Sequence, residues 1–446
     1  MPTTNELRQL RDLLGARDVA GLAALVRGLP PEQVVEVLRS LPPRQAAVAF
    51  RVLPKETAMI VFDWLQVPAQ ADLVAELGDA DVAGIFAELE PDDQVELMDE
   101  LPAKVAKRLV QSLSGDHLQA AMTVLGYPQG SVGRRMSPRY VHARPSERAD
   151  VVIARAVGLA GSLEMIYTIA VIRPDRVVVG VVGLQELLAA PADRQVQELM
   201  SVPASARATD DAEEVARRCL DRGILAMPVV DAEDRLVGVF TIDDAARIDR
   251  AAAEEDQARA GASEPLRRPY LHTPVRTITR SRIVWLLVLA ISAILTVNVL
   301  EMFEATLEQR VALALFIPLL TGIGGNTGSQ AATTVTRALA MGEVGPRDAP
   351  SVAFKEVRTG LLLGTLLGAL GLAIASPFYG LGIGTVIAIT LLVVCPLAAT
   401  VGGAMPLVAK ACRVDPAVFS TPFISTFCDA SGLLVYFTVA AFVLGL

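Results

Sequence analysis

Residues 417–446 read AVFSTPFISTFCDASGLLVYFTVAAFVLGL, and Asp429 is the single charged residue among them. Twelve uncharged residues precede this aspartate within the stretch and seventeen follow it. Such a stretch predicts a membrane-spanning helix, since about 20 apolar residues cross the ~30 Å of hydrocarbon. A carboxylate inside such a helix costs free energy and usually marks an ion or proton path. Asp429 is therefore the first candidate functional residue.

Four further spans are predicted upstream. Ile283–Leu300 and Val311–Thr336 are uncharged runs of 18 and 26 residues. Thr359–Ala409 is an uncharged run of 51 residues, and Pro377 with the glycines that follow divides it into two spans. The chain is 52% hydrophobic with a mean hydropathy of +0.45. These features predict a multidomain protein with a transmembrane domain of five α-helices over residues 281–446.

The basic residues favour one orientation of the five spans. They concentrate before the first span, between the second and third, and between the fourth and fifth. Short loops that are rich in Lys and Arg stay in the cytosol. We therefore expect a cytosolic N-terminal part and a C-terminus outside the cell membrane. The residues concerned are Arg267, Arg268, Arg276, Arg280, Arg282, Arg337, Arg347, Lys355, Arg358, Lys410 and Arg413.

Residues 1–282 differ in composition from the rest of the chain. They hold 33 basic and 41 acidic residues, and so carry nearly all of the formal net charge of −9. Met1–Leu14 is polar and mixed in charge, unlike a secretory signal. The four cysteines show no CxxC spacing, so we expect neither a disulfide nor a zinc site. This part is predicted to be cytosolic and is long enough for two domains.

Leucine recurs every twelve residues from Leu29 to Leu125. Proline follows the first, second, third and seventh of these leucines, and proline both ends one helix and starts the next. The pattern predicts helices of about two turns stacked into a superhelical array. We assign residues 1–130 to an all-α N domain that serves as a scaffold or sensor. It contains no catalytic constellation, and we expect no enzyme activity.

Residues 131–245 contain a repeat of a different kind. VGRRMS at 132–137 is echoed by VQELMS at 196–201, and Arg176–Leu188 is echoed by Arg235–Ala246. Each copy is predicted to run helix, strand, strand, helix. The region resembles an α/β tandem CBS pair, whose alternative roles are nucleotide binding and purely structural dimerisation.

The second copy ends with Gly238-Val-Phe-Thr241-Ile-Asp-Asp244. In CBS domains a Thr and an Asp at the positions of Thr241 and Asp244 can hold the ribose and phosphate of a nucleotide such as ATP. The first copy has Gly183 and Glu186 there, which predicts a degenerate site. Residues 246–280 follow as an acidic connecting helix and linker, where a charged solvated helix is the default and gating is the alternative.

The spacing of Thr421, Ser425 and Asp429 places all three on one helix face. In the second span, Gly and Pro around Asn326 would loosen the helix and free carbonyls toward a water-filled path. Glu356 lies between Lys355 and Arg358, so it is either salt-bridged or lines the inner mouth. Asp429 itself has two rival roles, a protonated or Arg-paired structural carboxylate and a proton relay.

All of these candidate ligands are hard oxygens. That chemistry disfavours zinc and copper. A small number of carboxylates suits Mg²⁺, which keeps several waters and binds through one or two carboxylates. A twofold axis through the path would bring two Asp429 side chains together. An inside-negative potential supplies ~2.3 kcal/mol per charge per 100 mV, so entry of a dication needs no pump.

The chain resembles the MgtE family of Mg²⁺ channels over essentially its whole length. The motifs concerned are GGNTGSQ at 324–330, KEVRTG at 355–360, and Asp415–Pro422 running on to DASG at 429–432. The resemblance implies a homodimer with the ion path at the twofold axis. It implies metal binding by Asp429, and places Gly325, Asn326, Glu356, Thr421 and Ser425 near the path.

The resemblance also implies closure of the path when cytosolic Mg²⁺ bridges acids of the N domain, CBS pair and connecting helix. Gly223 replaces one acidic position of the family, so this sensor is expected to hold fewer ions. The alternatives are an ion-coupled secondary transporter of Mg²⁺, Mn²⁺ or Co²⁺, and a sensor that does not transport. We expect the lipid bilayer and no nucleic acid as a partner. The implied regulatory metal ligands are Asp92, Glu96, Asp211, Glu213, Asp244 and Glu255.

Overall fold

The computed structural model describes residues 13, 16, 18–113, 115–161, 163, 165–266, 270, 273–412 and 421–445. The stretch 415–420 of the last motif, as well as Arg267, Arg268 and Arg413, lies outside the described residues, and so does the side chain of Thr421. The chain forms two compact units. One comprises residues 1–253 and 267–273, and the other comprises residues 254–266 and 274–446.

In the described part of the first unit, the N-terminal region consists of nine helices of 9 to 11 residues. Several begin with proline in the first turn, where its missing N–H costs no hydrogen bond. The helices are α1 Val19–Arg27, α2 Pro31–Ser40, α3 Pro43–Arg51, α4 Lys55–Asp63, α5 Val67–Glu76, α6 Asp79–Glu88, α7 Pro91–Glu100, α8 Ala103–Ser112 and α9 Gly115–Leu125.

The leucines of the twelve-residue repeat lie in the turns between these helices. Leu41 and Leu101 directly follow α2 and α7 in extended backbone, and both side chains are buried in one continuous hydrophobic core. Gln94 of α7 donates a hydrogen bond of 2.8 Å to the carbonyl of Phe86, which satisfies a buried acceptor. The predicted array of short helices is confirmed.

The second region of this unit contains two three-stranded sheets of the same design. In each sheet the first strand pairs parallel to the second, and the second pairs antiparallel to the third. The predicted α/β repeat is confirmed. Its elements are β1 His142–Ala143, α10 Ala149–Leu159, β2 Thr168–Ile172, β3 Val178–Gly183, α11 Leu184–Ala189, β4 Ala206–Arg207, α12 Ala212–Asp221, β5 Ala226–Val230, β6 Leu236–Thr241 and α13 Ile242–Ala260.

The two echoed hexapeptides are exchanged between the sheets. Met136 of VGRRMS packs on the sheet of the second copy, where a Cβ at Gly238 would lie 2.6 Å from its sulfur. Met200 of VQELMS packs on the first sheet, where a Cβ at Gly180 would lie 2.7 Å from its sulfur. Each motif therefore completes the other copy, and glycine is required where it crosses the strand.

The second unit contains, among its described residues, five helices long and apolar enough to cross a membrane. The predicted number of spans is confirmed. A short helix and a 3₁₀ turn, Val311–Phe316, precede the second span. The helices are α14 Val275–Met302, α15 Glu304–Gln309, α16 Ile317–Ala340, α17 Ala349–Tyr379, α18 Leu381–Ala411 and α19 Thr421–Leu444.

Glycines bring the membrane helices into close contact. On α17, Gly364 and Gly368 face the backbone of α18, where an added Cβ would lie 2.6 Å from the Leu391 carbonyl oxygen and 2.9 Å from that of Ala388. Gly402 of α18 faces the carbonyl of Gly328 on α16. Small residues at such crossings let backbones approach within membranes, where packing drives helix association.

Candidate functional site

The carboxylate of Asp429 lies where α19 crosses α16. A Cβ built on Gly325 would lie 3.4 Å from Asp429 Oδ1 and 2.5 Å from Ser425 Oγ. Asp429 and Ser425 are both half-buried, and Gly325 is buried. The predicted pairing of a carboxylate with a hydroxyl on one face of the last span is therefore present, and both groups meet the glycine-rich segment of α16.

A polar face of α16 is left exposed in the single chain. Asn326, Gln330 and Thr333 follow one another along it, and all three are exposed. The Thr333 hydroxyl donates to the Ser329 carbonyl at 2.9 Å, whereas the side-chain amides of Asn326 and Gln330 have no hydrogen-bond partner among the described residues. The helix is continuous through this segment, from Ile317 to Ala340. The expected loosening of the span by its glycines is thus absent in this conformation.

Glu356 of α17 lies against α18. A Cβ at Gly403 would lie 2.8 Å from Glu356 Cγ. Among the described residues, no Lys, Arg or His nitrogen forms an ion pair with the Glu356 carboxylate. The salt-bridged alternative is thus not observed among these residues, and a place of Glu356 at the inner mouth stays a prediction.

A cytosolic cluster of acids forms where α7 of the N domain meets α13. Asp92 and Asp244 are 4% and 3% exposed. The Thr241 hydroxyl donates to Asp244 Oδ2 at 2.8 Å. Arg247 donates to the carboxylate of Asp244 and, at 3.0 Å, to Asp93 Oδ1. Two acids of α7, one acid of α13 and one guanidinium are thus brought together.

Burial dominates the electrostatics of this cluster. It raises the pKa of Asp92 well above its usual value, and the charges of Asp244 and Asp93 raise it further. Burial also raises the pKa of Asp244 to about 6, against the lowering effect of the Arg247 guanidinium. Asp92 Oδ1 has no hydrogen-bond partner in the described part of the chain. The Asp92 carboxyl group is therefore buried, and one of its oxygens lacks the cation or proton donor that would stabilise it.

The other four predicted regulatory acids also have partners, which for Asp211, Glu213 and Glu255 lie three or four residues away in the sequence. Glu96 pairs with Arg135 at 2.7 Å. Asp211 caps α12 by accepting from the Glu214 backbone N–H at 3.0 Å. Glu213 pairs with Arg217 at 3.1 Å, and Glu255 pairs with Arg259 one turn further along α13. Among the six predicted regulatory acids, Asp244 raises the pKa of Asp92 through its charge.

No three His, Cys, Asp or Glu side chains within the described ranges converge with the geometry to hold a metal ion. One carboxylate flanked by neutral oxygens is nevertheless sufficient for an ion that keeps much of its water. The sequence pattern does not single out Arg247, because an acidic stretch with a few arginines is typical of a solvated charged helix. Its spacing of three residues from Asp244 is the signal that identifies it, since such residues are neighbours on a helix.

Comparison with known protein families assigns three segments of the chain. Residues 29–130 match the MgtE intracellular N domain, residues 196–250 match the CBS domain, and residues 317–439 match the MgtE family, described as divalent cation transporter. The last match contains Asp429, Gly325 and Glu356. The first contains α7 with Asp92, which places this domain inside the cell.

Similar proteins agree with that assignment. The chain is 35% identical to the magnesium transporter MgtE of Thermus thermophilus over 71% of either chain. It is 29% identical to the magnesium transporter MgtE of Bacillus subtilis over 79% of this chain and 78% of that one. The cytosolic domain of the Mg²⁺ channel MgtE, solved in complex with ATP, matches with a TM-score of 0.50 and 27% identity, covering 54% of this chain and 99% of that one. The chain belongs to the MgtE family of divalent cation transporters.

Proposed function

We propose that this protein is a channel that admits Mg²⁺ to the cytosol down its electrochemical gradient. The observation that carries the proposal is the half-buried carboxylate of Asp429 beside the α16 backbone at Gly325. A charge at this depth of a span is costly unless it serves an ion. Relatives at 35% and 29% identity are named magnesium transporters.

The donor set supports Mg²⁺ in particular. The side-chain atoms that can ligate a metal here are all oxygens, from Asp429, Ser425 and Asn326. Hard oxygen ligands suit Mg²⁺. A single carboxylate in each chain leaves the ion several waters, which Mg²⁺ gives up reluctantly. Thr421 is proposed for the same face of α19.

We infer that the working unit is a homodimer. The exposed amides of Asn326 and Gln330 lie on a membrane helix, where contact with lipid is unfavourable. A second copy would cover this face and bring two Asp429 carboxylates together, matching the charge of a dication. The basic loops favour a C-terminus outside the cell.

Cytosolic Mg²⁺ is proposed to close the channel. Repulsion between acids such as Asp92 and Asp244 disfavours docking of the N domain on the CBS pair, and a cation between such acids, whether a protein side chain or Mg²⁺, relieves it. Glu96, Asp211, Glu213 and Glu255 are proposed as the remaining regulatory acids. The free energy of binding to the closed state is what shifts the population of channels toward closure.

ATP is a second candidate ligand, because a solved relative carries it. Thr241 and Asp244 are buried and hydrogen-bonded to each other, so a nucleotide at this place must displace Arg247 from Asp244. Calorimetric titration of the full chain with ATP tests this, with Thr241→Ala as the variant. Equal heats from both proteins would place the nucleotide elsewhere.

Flux measurements separate the channel from its alternative, a secondary transporter of divalent cations coupled to another ion. The purified protein is reconstituted into liposomes that contain a Mg²⁺-sensitive dye, without any proton or sodium gradient. The channel carries Mg²⁺ inward whenever the membrane potential is negative inside. Flux that appears only with an opposing ion gradient would replace the channel by the coupled transporter.

A further inference from the structure

Arginines on the CBS side of the first unit bind acids of the N domain. Three come from the segment that carries VGRRMS and its continuation, and the fourth from α13. The distances between the charged groups run from 2.7 to 3.0 Å. The pairs are Arg134 with Asp99, Arg135 with Glu96, Arg139 with Glu90, and Arg247 with Asp93.

Arg247 differs from the other three because it binds one carboxylate from each side. It reaches Asp93 on α7 and Asp244 on α13, and both carboxylates are far less exposed than its own side chain (16% and 4% against 42%). Asp244 is held in place by Thr241 as well. A planar guanidinium with several donors suits such two-sided binding, which an ammonium does not reproduce.

Without this guanidinium, three neighbouring carboxylates, two of them buried and that of Asp93 half-buried, would lack a counter-charge. The charges of Asp93 and Asp244 both act on Asp92, which has an oxygen without a hydrogen-bond partner in the described part of the chain. The void beside them has a volume of about 10 Å³, barely enough for one water. A hydrated divalent ion therefore does not fit here while Arg247 stays in place.

We propose that Arg247 is the resident counter-cation of this contact and holds α7 of the N domain against α13 without any divalent ion. The inference rests on the gating proposed above and names the cation of one contact. Binding of regulatory Mg²⁺ then falls to Asp211, Glu213 and Glu255. Removal of Arg247 converts the contact into one that needs Mg²⁺, since only a free cation can then offset the repulsion.

Hydrogen exchange of the full-length protein in detergent tests this inference. The readout is the protection of residues 91–100, followed in EDTA and in excess MgCl₂. In the wild type, protection is the same in both. In Arg247→Gln, exchange in EDTA accelerates by about tenfold or more as the contact opens, and MgCl₂ restores protection. Arg250→Gln, an exposed arginine one turn along the same helix, behaves as the wild type does.

Two results would overturn the inference. One is loss of protection in the wild type on addition of EDTA, which needs no variant at all. The other is full protection of Arg247→Gln in EDTA. Exchange of residues 226–230 in the core of the second sheet reports whether the variant is folded, and Arg247→Lys tests charge without the forked geometry. Flux is not part of the readout, so failure of the proposed gating and failure of this inference are distinguishable.

Discussion

Gly325 determines how closely α16 approaches the carboxylate of Asp429. A methyl group at this position would lie 2.5 Å from Ser425 Oγ, well inside van der Waals contact. The Asp429 carboxylate, at 3.4 Å from the same point, would tolerate the methyl group. The tight contact is thus with the serine, and the position of α19 relative to α16 depends on it.

Gly325→Ala should therefore lower Mg²⁺ flux by displacing Ser425 and, with it, Asp429. A misplaced ligand of this kind costs on the order of 10²-fold in the most sensitive sites. The double variant Gly325→Ala with Ser425→Ala should recover part of the flux, because the clashing oxygen is gone. Gly84→Ala, on an exposed helix position outside the membrane helices, is the control, since nothing lies within 4 Å of the added carbon. Equal loss in Gly84→Ala would show that the contact with Ser425 is not responsible.

Individual residues differ in how far the sequence identifies them. Asp429 is evident because one charge interrupts a long apolar run. The contact between Gly325 and Ser425 joins residues 100 positions apart, and its closeness depends on how the helices cross. The role of Arg247 cannot be predicted from the sequence for another reason. Its neighbours on the helix are acids, and such a composition usually gives a solvated charged helix.

At the scale of elements, α17 and α18 are joined through glycines. Gly364 lies so close to α18 that a methyl group would meet the Leu391 carbonyl oxygen at 2.6 Å. Backbone cannot move aside as a flexible side chain can. We expect Gly364→Ala to destabilise the membrane domain by about 1–3 kcal/mol, the usual cost of overpacking.

The measurement for Gly364→Ala is the apparent unfolding temperature of the protein in detergent. It should fall by several degrees. An unchanged temperature for Gly364→Ala would mean that the two helices separate readily and that their close contact contributes little.

The elements of the cytosolic unit show what periodicity can and cannot predict. The twelve-residue leucines predict the helices, yet they lie in the turns, as Leu41 does, because a turn residue can reach the core between two helices. The echo of VGRRMS and VQELMS reveals the repeat. It does not reveal that each motif packs on the other copy, since that pairing is long-range.

In the whole molecule, two kinds of cation are proposed to act on the acids of the N domain, CBS pair and connecting helix. Guanidiniums neutralise acids at the contact of the N domain with the CBS pair, and free Mg²⁺ is proposed to act on the remaining acids. Among these acids, Glu255 gives the clearest test of Mg²⁺ binding, because it lies further along α13 than Arg247 and Asp244. Its partner in the structure is Arg259.

Glu255→Gln should raise the internal Mg²⁺ concentration that half-closes the channel by roughly fivefold or more, a typical coupling between sites. Removal of the carboxylate weakens Mg²⁺ binding to the closed state and leaves the ion path untouched. Glu254→Gln, its exposed neighbour on α13, is the control and should leave the inhibition curve in place. Identical curves for both variants and the wild type would remove Glu255 from the sensor.

The central claim is that Asp429 binds the transported ion, and Mg²⁺ flux into liposomes tests it most directly. Asp429→Asn is compared with Glu343→Gln, which neutralises an exposed carboxylate in the same unit. Loss of a partner worth about 1.4 kcal/mol or more lowers occupancy at least tenfold. We expect a loss of flux of that size in Asp429→Asn, with an unchanged elution profile, and wild-type flux in Glu343→Gln. Wild-type flux in Asp429→Asn would contradict it.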